Sequence, residues 1–150
     1  MIDRRTMIAL LGAGAAAPLL GAAPPPAEAA MWRDPGCECC TAWARKIEAA
    51  LGLRLRVIDA RDMAAVKRAQ GVPADLQGCH TAVIRGFVIE GHVPAEDIRR
   101  LLTARPRNVR MLAVPGMQPG TPGMEADEHD PYKVIAVEKA GKRWTFSIHA

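Results

Sequence analysis

The stretch "AAMWRDPGCECCTAWARKIEAALG", residues 29–52, sets a short apolar run, a turn and an amphipathic segment in direct succession. Ala29 to Arg33 reads as a first strand, and Asp34-Pro35-Gly36 turns the chain into three of its four cysteines. Cys40, Trp43, Ile47, Ala50 and Leu51 recur at helical spacing, Arg45, Lys46 and Glu48 occupy the other side, and Gly52 is placed as a stop signal. A Cys-x-x-Cys, Cys37 and Cys40, therefore lies between strand and helix, with Cys39 inside it.

Downstream, "LRLRVID" (53–59) alternates as a strand, and Asp62 caps a helix over Met63 to Gln70 that Gly71 and Pro73 end. "TAVIRGFVIE" (81–90) predicts a β-hairpin around Arg85-Gly86. Pro94 opens a third helix with Ile98, Leu101 and Leu102 on its apolar face, and Pro106 ends it. Residues 114–131 hold too much Pro and Gly for a helix or inner strand and form a long loop, whereas 132–148 reads as a closing hairpin with Trp144, Phe146 and Ile148 on one face. This α/β order, βαβα-ββα with a Pro/Gly/Met-rich loop and an extra C-terminal β-hairpin, resembles the thioredoxin-like fold. That resemblance implies that Cys79, in the loop entering the third strand, and His92, at the end of the fourth, lie beside Cys37 and Cys40. One departure matters: thioredoxins carry a cis-proline where this chain has Gly78-Cys79-His80-Thr81.

Upstream, Arg4 and Arg5 precede an apolar stretch, Ile8 to Leu20, and a small-residue region ending Ala27-Glu28-Ala29. Residues 1–30 thus read as a signal peptide of twin-arginine type, so that the protein is exported to the periplasm, begins near Ala30 and keeps no membrane segment. An ordinary secretory signal is the alternative. Residues 31–150 suffice for one domain, with 49% hydrophobic residues in the 150-residue chain supplying an aliphatic core. A net charge of +4, spread rather than clustered, and only 4% aromatic residues argue against nucleic-acid binding. No phosphate-binding Gly loop, nucleophilic serine constellation or paired catalytic carboxylates occur.

The chemistry lies in the thiols. Cys37, Cys39 and Cys40 sit at a helix N-terminus, whose unpaired N–H groups favour thiolates, and three thiolates so close repel unless a soft cation neutralises them. A disulfide staple is the structural alternative, weakened because adjacent Cys39 and Cys40 cannot readily bridge and a Cys37–Cys40 link closes a tiny loop. A redox dithiol is the third option, with Cys37 as nucleophile and Cys40 as resolving thiol. Met117 and Met124 in the long loop favour copper, as Cu(I), over zinc, because thioethers are soft ligands. Met63 and Met111, among apolar neighbours, read as core. His92 is a candidate ligand, His80 is expected to face away from Cys79 by strand alternation, and His129 and His149 are expected to be solvated.

"DPGCECCTAW", "GCHTAVIRGFVIEGHVPAEDIRRLL" and "LAVPGMQPGTPGME" together resemble the family long catalogued as a domain of unknown function, DUF411, and represented by the CopG-like periplasmic copper-resistance proteins. The resemblance covers nearly all of residues 31–150. It implies a thioredoxin-like fold binding a copper cluster through Cys37, Cys39, Cys40 and Cys79, with His92, Met117 and Met124 in reach and a role in Cu(I)/Cu(II) interconversion. A thiol–disulfide oxidoreductase, and an adaptor to a copper exporter or another periplasmic copper-handling protein, are the rival readings.

Overall fold

A computed structural model describes residues 29–150. The expected signal lies outside the described residues except for Ala29 and Ala30, which are buried members of the first strand. Strand β1 (Ala29–Arg33) leads into helix α1 (Glu38–Leu51), which buries Cys40, Trp43, Ala44 and Ile47. Gly52 ends α1 in the left-handed conformation at φ 63°, its N–H donating to the Glu48 carbonyl. Strand β2 (Arg56–Asp59) is shorter than the alternation over 53–59 predicts, and helix α2 (Met63–Ala69) is capped by Asp62, whose Oδ1 accepts from the Ala65 N–H at 2.8 Å. Strands β3 (Thr81–Ile84) and β4 (Phe87–Glu90) form the expected hairpin. Both turn residues, Arg85 (φ 48°) and Gly86 (φ 88°), take the left-handed values that a two-residue hairpin turn requires.

Helix α3 (Ala95–Ala104) starts after Pro94, and strand β5 (Val109–Ala113) follows. Sequence reading passes over β5 because four of its five residues are buried, so it carries no period-two alternation. Strands β6 (Tyr132–Glu138) and β7 (Arg143–His149) close the chain. All seven strands form one sheet in the order β2-β1-β3-β4-β5-β6-β7, with β1–β2 and β4–β5 parallel and every other pair antiparallel. The architecture is mixed α/β, with three α-helices among the described residues.

The sheet has two buried faces. Met31, Ala82, Ile84, Ile89 and Leu112 pack with Trp43 and Ile47 of α1 and Ile98 and Leu101 of α3. Val88, Met111, Ala113 and Val137 pack with Val72 and Leu76 in a smaller cluster, and the adjacent pairs Val88/Ile89 and Met111/Leu112 show the alternation that separates the two faces. Met63 and Met111 are core residues, as expected. The expected apolar face of β7 is split: Trp144 and Ile148 are exposed, whereas Phe146 is partly buried against the main core, with the Arg100 guanidinium 3.8 Å over its ring.

Candidate metal centre

Four cysteines meet where β1, α1 and the loop before β3 converge. Arg33 clamps the first side, donating from Nη1 to the Cys37 carbonyl at 2.8 Å and to Thr41 Oγ1, and from Nε to Asp59 Oδ1 at 3.0 Å. Cys37 occupies the N-cap position of α1 without a side-chain capping bond, which leaves its sulfur free to turn inward. On the other side Glu90 Oε1 accepts the Gly78 N–H at 2.7 Å, and Gly78 packs so tightly that an added Cβ would stand 2.7 Å from Gly91 Cα. Cys79 is thereby held over the cluster. Its sulfur lies 3.3 Å from that of Cys37, 3.6 Å from that of Cys39 and 3.2 Å from that of Cys40. All four sulfurs lie within 4.8 Å of one another.

Cys37 and Cys40 are joined by a disulfide, while Cys39 and Cys79 are free thiols. Sequence reasoning expects the thiols to share a cation rather than pair off. The helix N-terminus brings the two Cα atoms to 5.4 Å, inside the range a disulfide spans, so pairing is available whenever no cation is bound. Burial pushes the Cys79 thiol up to about 12, helped by Cys39 beside it and opposed by Lys67. Unlike its three partners, Cys79 is not on a helix terminus, and it is a thiol at neutral pH whose proton a metal ion must displace.

The long loop folds back onto α1. A Cβ at Gly123 (φ 88°) would stand 2.7 Å from the Cys39 carbonyl oxygen and 2.8 Å from the Trp43 nitrogen, so only glycine permits this approach. Gly116 donates to the Gln77 carbonyl at 2.9 Å and bridges Gly78. Met124 and Met117 follow directly on these two anchors. Met124 is half-buried and Met117 is 58% exposed.

The histidines depart further from expectation. His92 reaches the cluster, as predicted, and its Nδ1 lies 2.8 Å from the Pro122 carbonyl. His80 does not face away: its ring centroid lies 4.2 Å from that of Trp43 in a tilted contact and 5.0 Å from that of His92, and Cys40, His80 and His92 form a second group of potential ligands. The reason is local. His80 precedes β3, so strand alternation does not govern it. His149, expected to be solvated, is bound through Nε2 to Asp97 Oδ2 at 2.7 Å and stacks on Tyr132. His129 stays near the surface.

Beneath the cluster lies a buried ionic group that sequence reasoning missed. Lys67 Nζ lies 2.5 Å from Glu90 Oε1, and Thr81 Oγ1 donates to Glu90 Oε2 at 2.6 Å. Two spacings hold the signal: Lys67 follows Met63 by one helical turn, and Glu90 shares strand phase with Val88.

Burial holds both imidazoles below the ordinary value of 6.5, His80 well below it; the Pro122 carbonyl partly offsets the shift at His92, while the nearby His92 and Lys67 add to it at His80. Because the unfolded chain binds these protons and the folded one does not, this stability is present above about pH 6.5 and is lost as pH falls towards the lowered folded values. The metal-free protein should therefore lose up to about 1.4 kcal/mol per pH unit per histidine in that window. Urea midpoints at about pH 7.5 and about pH 5.5 measure it, and equal midpoints would contradict neutral, buried rings.

Fold and site together define a class: a mixed α/β protein carrying a compact four-cysteine centre at the junction of a strand, a helix and a glycine-rich loop. The family described as "Protein of unknown function, DUF411" matches residues 76–124. Two solved structures are similar over 81% of this chain at 38% identity: "Copper resistance protein copG- Form 2", covered to 97% with a TM-score of 0.76, and "Copper resistance protein copG- Form 1", covered to 95% with a TM-score of 0.75. No curated protein matches the chain. The chain belongs to the CopG-like DUF411 family.

Proposed function

We propose that this chain is an exported copper-binding protein of copper resistance, holding a multinuclear Cu(I)–thiolate site on Cys37, Cys39, Cys40 and Cys79, with His92, Met117 and Met124 as further ligands. The observation that carries it is the placement of four sulfurs within 4.8 Å of one another. Soft thiolates select Cu(I), and an ion about 2.3 Å from each sulfur spaces its ligands about 3.8 Å apart, a few tenths of an ångström wider than the contacts of Cys79, whereas Cys37 and Cys40 must first be reduced and separate. Similarity to two copper resistance proteins supports the choice of metal. The order β2-β1-β3-β4, with β1–β2 parallel and β3 antiparallel to both neighbours, supports a thioredoxin-like core. Export rests on residues 1–30; no helix among the described residues is long and apolar enough to cross a membrane.

The copper ions are cargo: an external dithiol reductant supplies the two electrons that open the Cys37–Cys40 disulfide and is itself oxidised to a disulfide, and the chain's thiols then release their protons as Cu(I) binds. Anaerobically reduced protein should take up more than one Cu(I) per chain, and a variant with all four cysteines changed to Ser should take up none. Reduced protein that stays empty in excess Cu(I) overturns the reading. The Cys37–Cys40 disulfide favours a second reading, a thiol–disulfide or copper oxidoreductase in which the pair cycles. Brisk insulin reduction by metal-free protein, abolished by Cys37→Ser, would support it. A docking role at a copper exporter is separable as well, since the four-serine variant should then retain its partner.

A further inference from the structure

The connections between elements separate charge by end. At the end of the sheet where β1 begins, segments 52–55, 85–86, 105–108 and 139–142 carry Arg54, Arg85, Arg105, Arg107, Lys139 and Lys142 and no acid. At the metal-centre end, segments 34–37, 60–62, 91–94 and 114–131 carry Asp34, Asp62, Glu125, Asp127, Glu128 and Asp130 against Arg61 alone. Segment 70–80 passes from one end to the other, and its Asp75 is paired with Arg143 at 2.6 Å. All six cations of the first end are exposed. Arg85, Arg105, Arg107 and Lys139 join Arg110 around one cavity of about 320 Å³ that has no carboxylate in its lining. Arg85 (φ 48°) and Arg105 (φ 41°) are the non-glycine residues with positive φ among the described residues. Glycine enters that conformation at lower cost, so both arginines bring charge to this rim against a backbone preference. Trp144, two residues beyond the 139–142 turn, is exposed at the same end.

We propose that this basic end is a docking face for a bilayer containing anionic phospholipid, which the protein meets peripherally with its metal centre turned away. Cations that complement helix dipoles do not account for it: Arg54 and Arg105 follow α1 and α3, but Arg85, Arg107, Lys139 and Lys142 belong to no helix. Their spread over separate turns at one end suits an extended charged surface, with the cavity accepting a single phosphate headgroup. An exposed tryptophan beside such cations sits well at a lipid–water boundary, where one part of its ring is apolar and its N–H stays wet. The path of the chain agrees. Ala29 pairs with Ile84, next to Arg85, and Ala29 is where residues 1–28, with the apolar stretch Ile8 to Leu20, join the fold. A segment that enters a membrane there brings this end against it. The acids at the opposite end are repelled by the same surface, so attraction and repulsion together set one orientation. The proposal is independent of the metal the centre binds.

The test is co-sedimentation of protein recovered from the exported fraction with vesicles of phosphatidylcholine, pure or mixed with phosphatidylglycerol. Wild-type protein should bind the mixed vesicles, weaken as salt rises and leave the pure ones unbound. Each cation near an anionic surface strengthens binding about fivefold, so Arg105→Glu/Arg107→Glu/Lys139→Glu should lower the affinity at least about 100-fold. Arg45→Glu/Arg61→Glu/Lys133→Glu, the same change of charge away from this end, should keep most of it. Unchanged urea midpoints establish that both variants are folded. No binding to the mixed vesicles, or equal losses in the two variants, overturns the docking face. Capture of wild-type protein by immobilised poly-glutamate without binding to vesicles overturns the lipid assignment in favour of an acidic protein partner.

Discussion

Glu90→Ala is expected to cost about 3–5 kcal/mol of unfolding free energy, a large share of the about 5–15 kcal/mol that holds a typical domain together. The Glu90 carboxylate is completely buried and serves three donors: Lys67 Nζ, Thr81 Oγ1 and the Gly78 N–H. Removing it strands an ammonium group whose side chain is only 7% exposed, and orphans a hydroxyl and a backbone N–H. An uncompensated buried charge outweighs the lost contacts themselves. The double variant Lys67→Met/Glu90→Leu should recover most of the loss, because the stranded charge disappears with its partner. Urea unfolding at neutral pH measures both, and a loss below about 1 kcal/mol for Glu90→Ala would refute the assignment of a tight buried pair. The same substitution frees Gly78, so the Cu(I) affinity proposed for Cys79 should weaken in parallel.

Trp43→Ala should have a comparable effect, about 3–5 kcal/mol, seen as a fall of roughly 10–25 °C in Tm. Trp43 is fully buried on α1, donates from Nε1 to the Val93 carbonyl at 2.9 Å, and packs against the His80 ring in a tilted contact. Its backbone is also the surface on which Gly123 rests. Truncation therefore opens a cavity under the metal centre and loosens helix, histidine and loop together. Trp43→Phe separates the contributions: it keeps most of the packing but leaves the Val93 carbonyl unmatched, for a cost of about 1–3 kcal/mol. A Tm change of only a few degrees for Trp43→Ala would show that the ring does not support the core.

The readable parts of this chain were those with strong local causes. The helical spacing of Cys40, Trp43 and Ile47, the Asp62 cap, the Arg85-Gly86 turn and the Pro94 start each appear where local rules place them. The convergence of Cys79 and His92 on the Cys-x-x-Cys was foreseen from the resemblance to a thioredoxin-like order rather than from any residue alone. Strand β5 was not, because it is buried and lies between proline-rich segments that hide its ends.

Near residue 80 the limit of local reading is physical. Strand alternation starts only where a ladder begins, so the rule that turns His80 outward has no force one residue before β3, and contact with Trp43 decides its direction instead. Lys67 and Glu90 are polar residues at positions whose periodicity faces inward, and they are tolerated there only because α2 and β4 bring them within 2.5 Å. By itself, then, the sequence determined the helices, the hairpins and the crowding of thiols at one helix mouth, since these depend on neighbours a few positions apart. Only the tertiary structure decided which buried imidazoles and charges share the space beneath the sulfurs, because the Lys67 pairings span 14 and 23 residues and the His92 bond to Pro122 spans 30, and they become favourable only once water has been excluded between the partners.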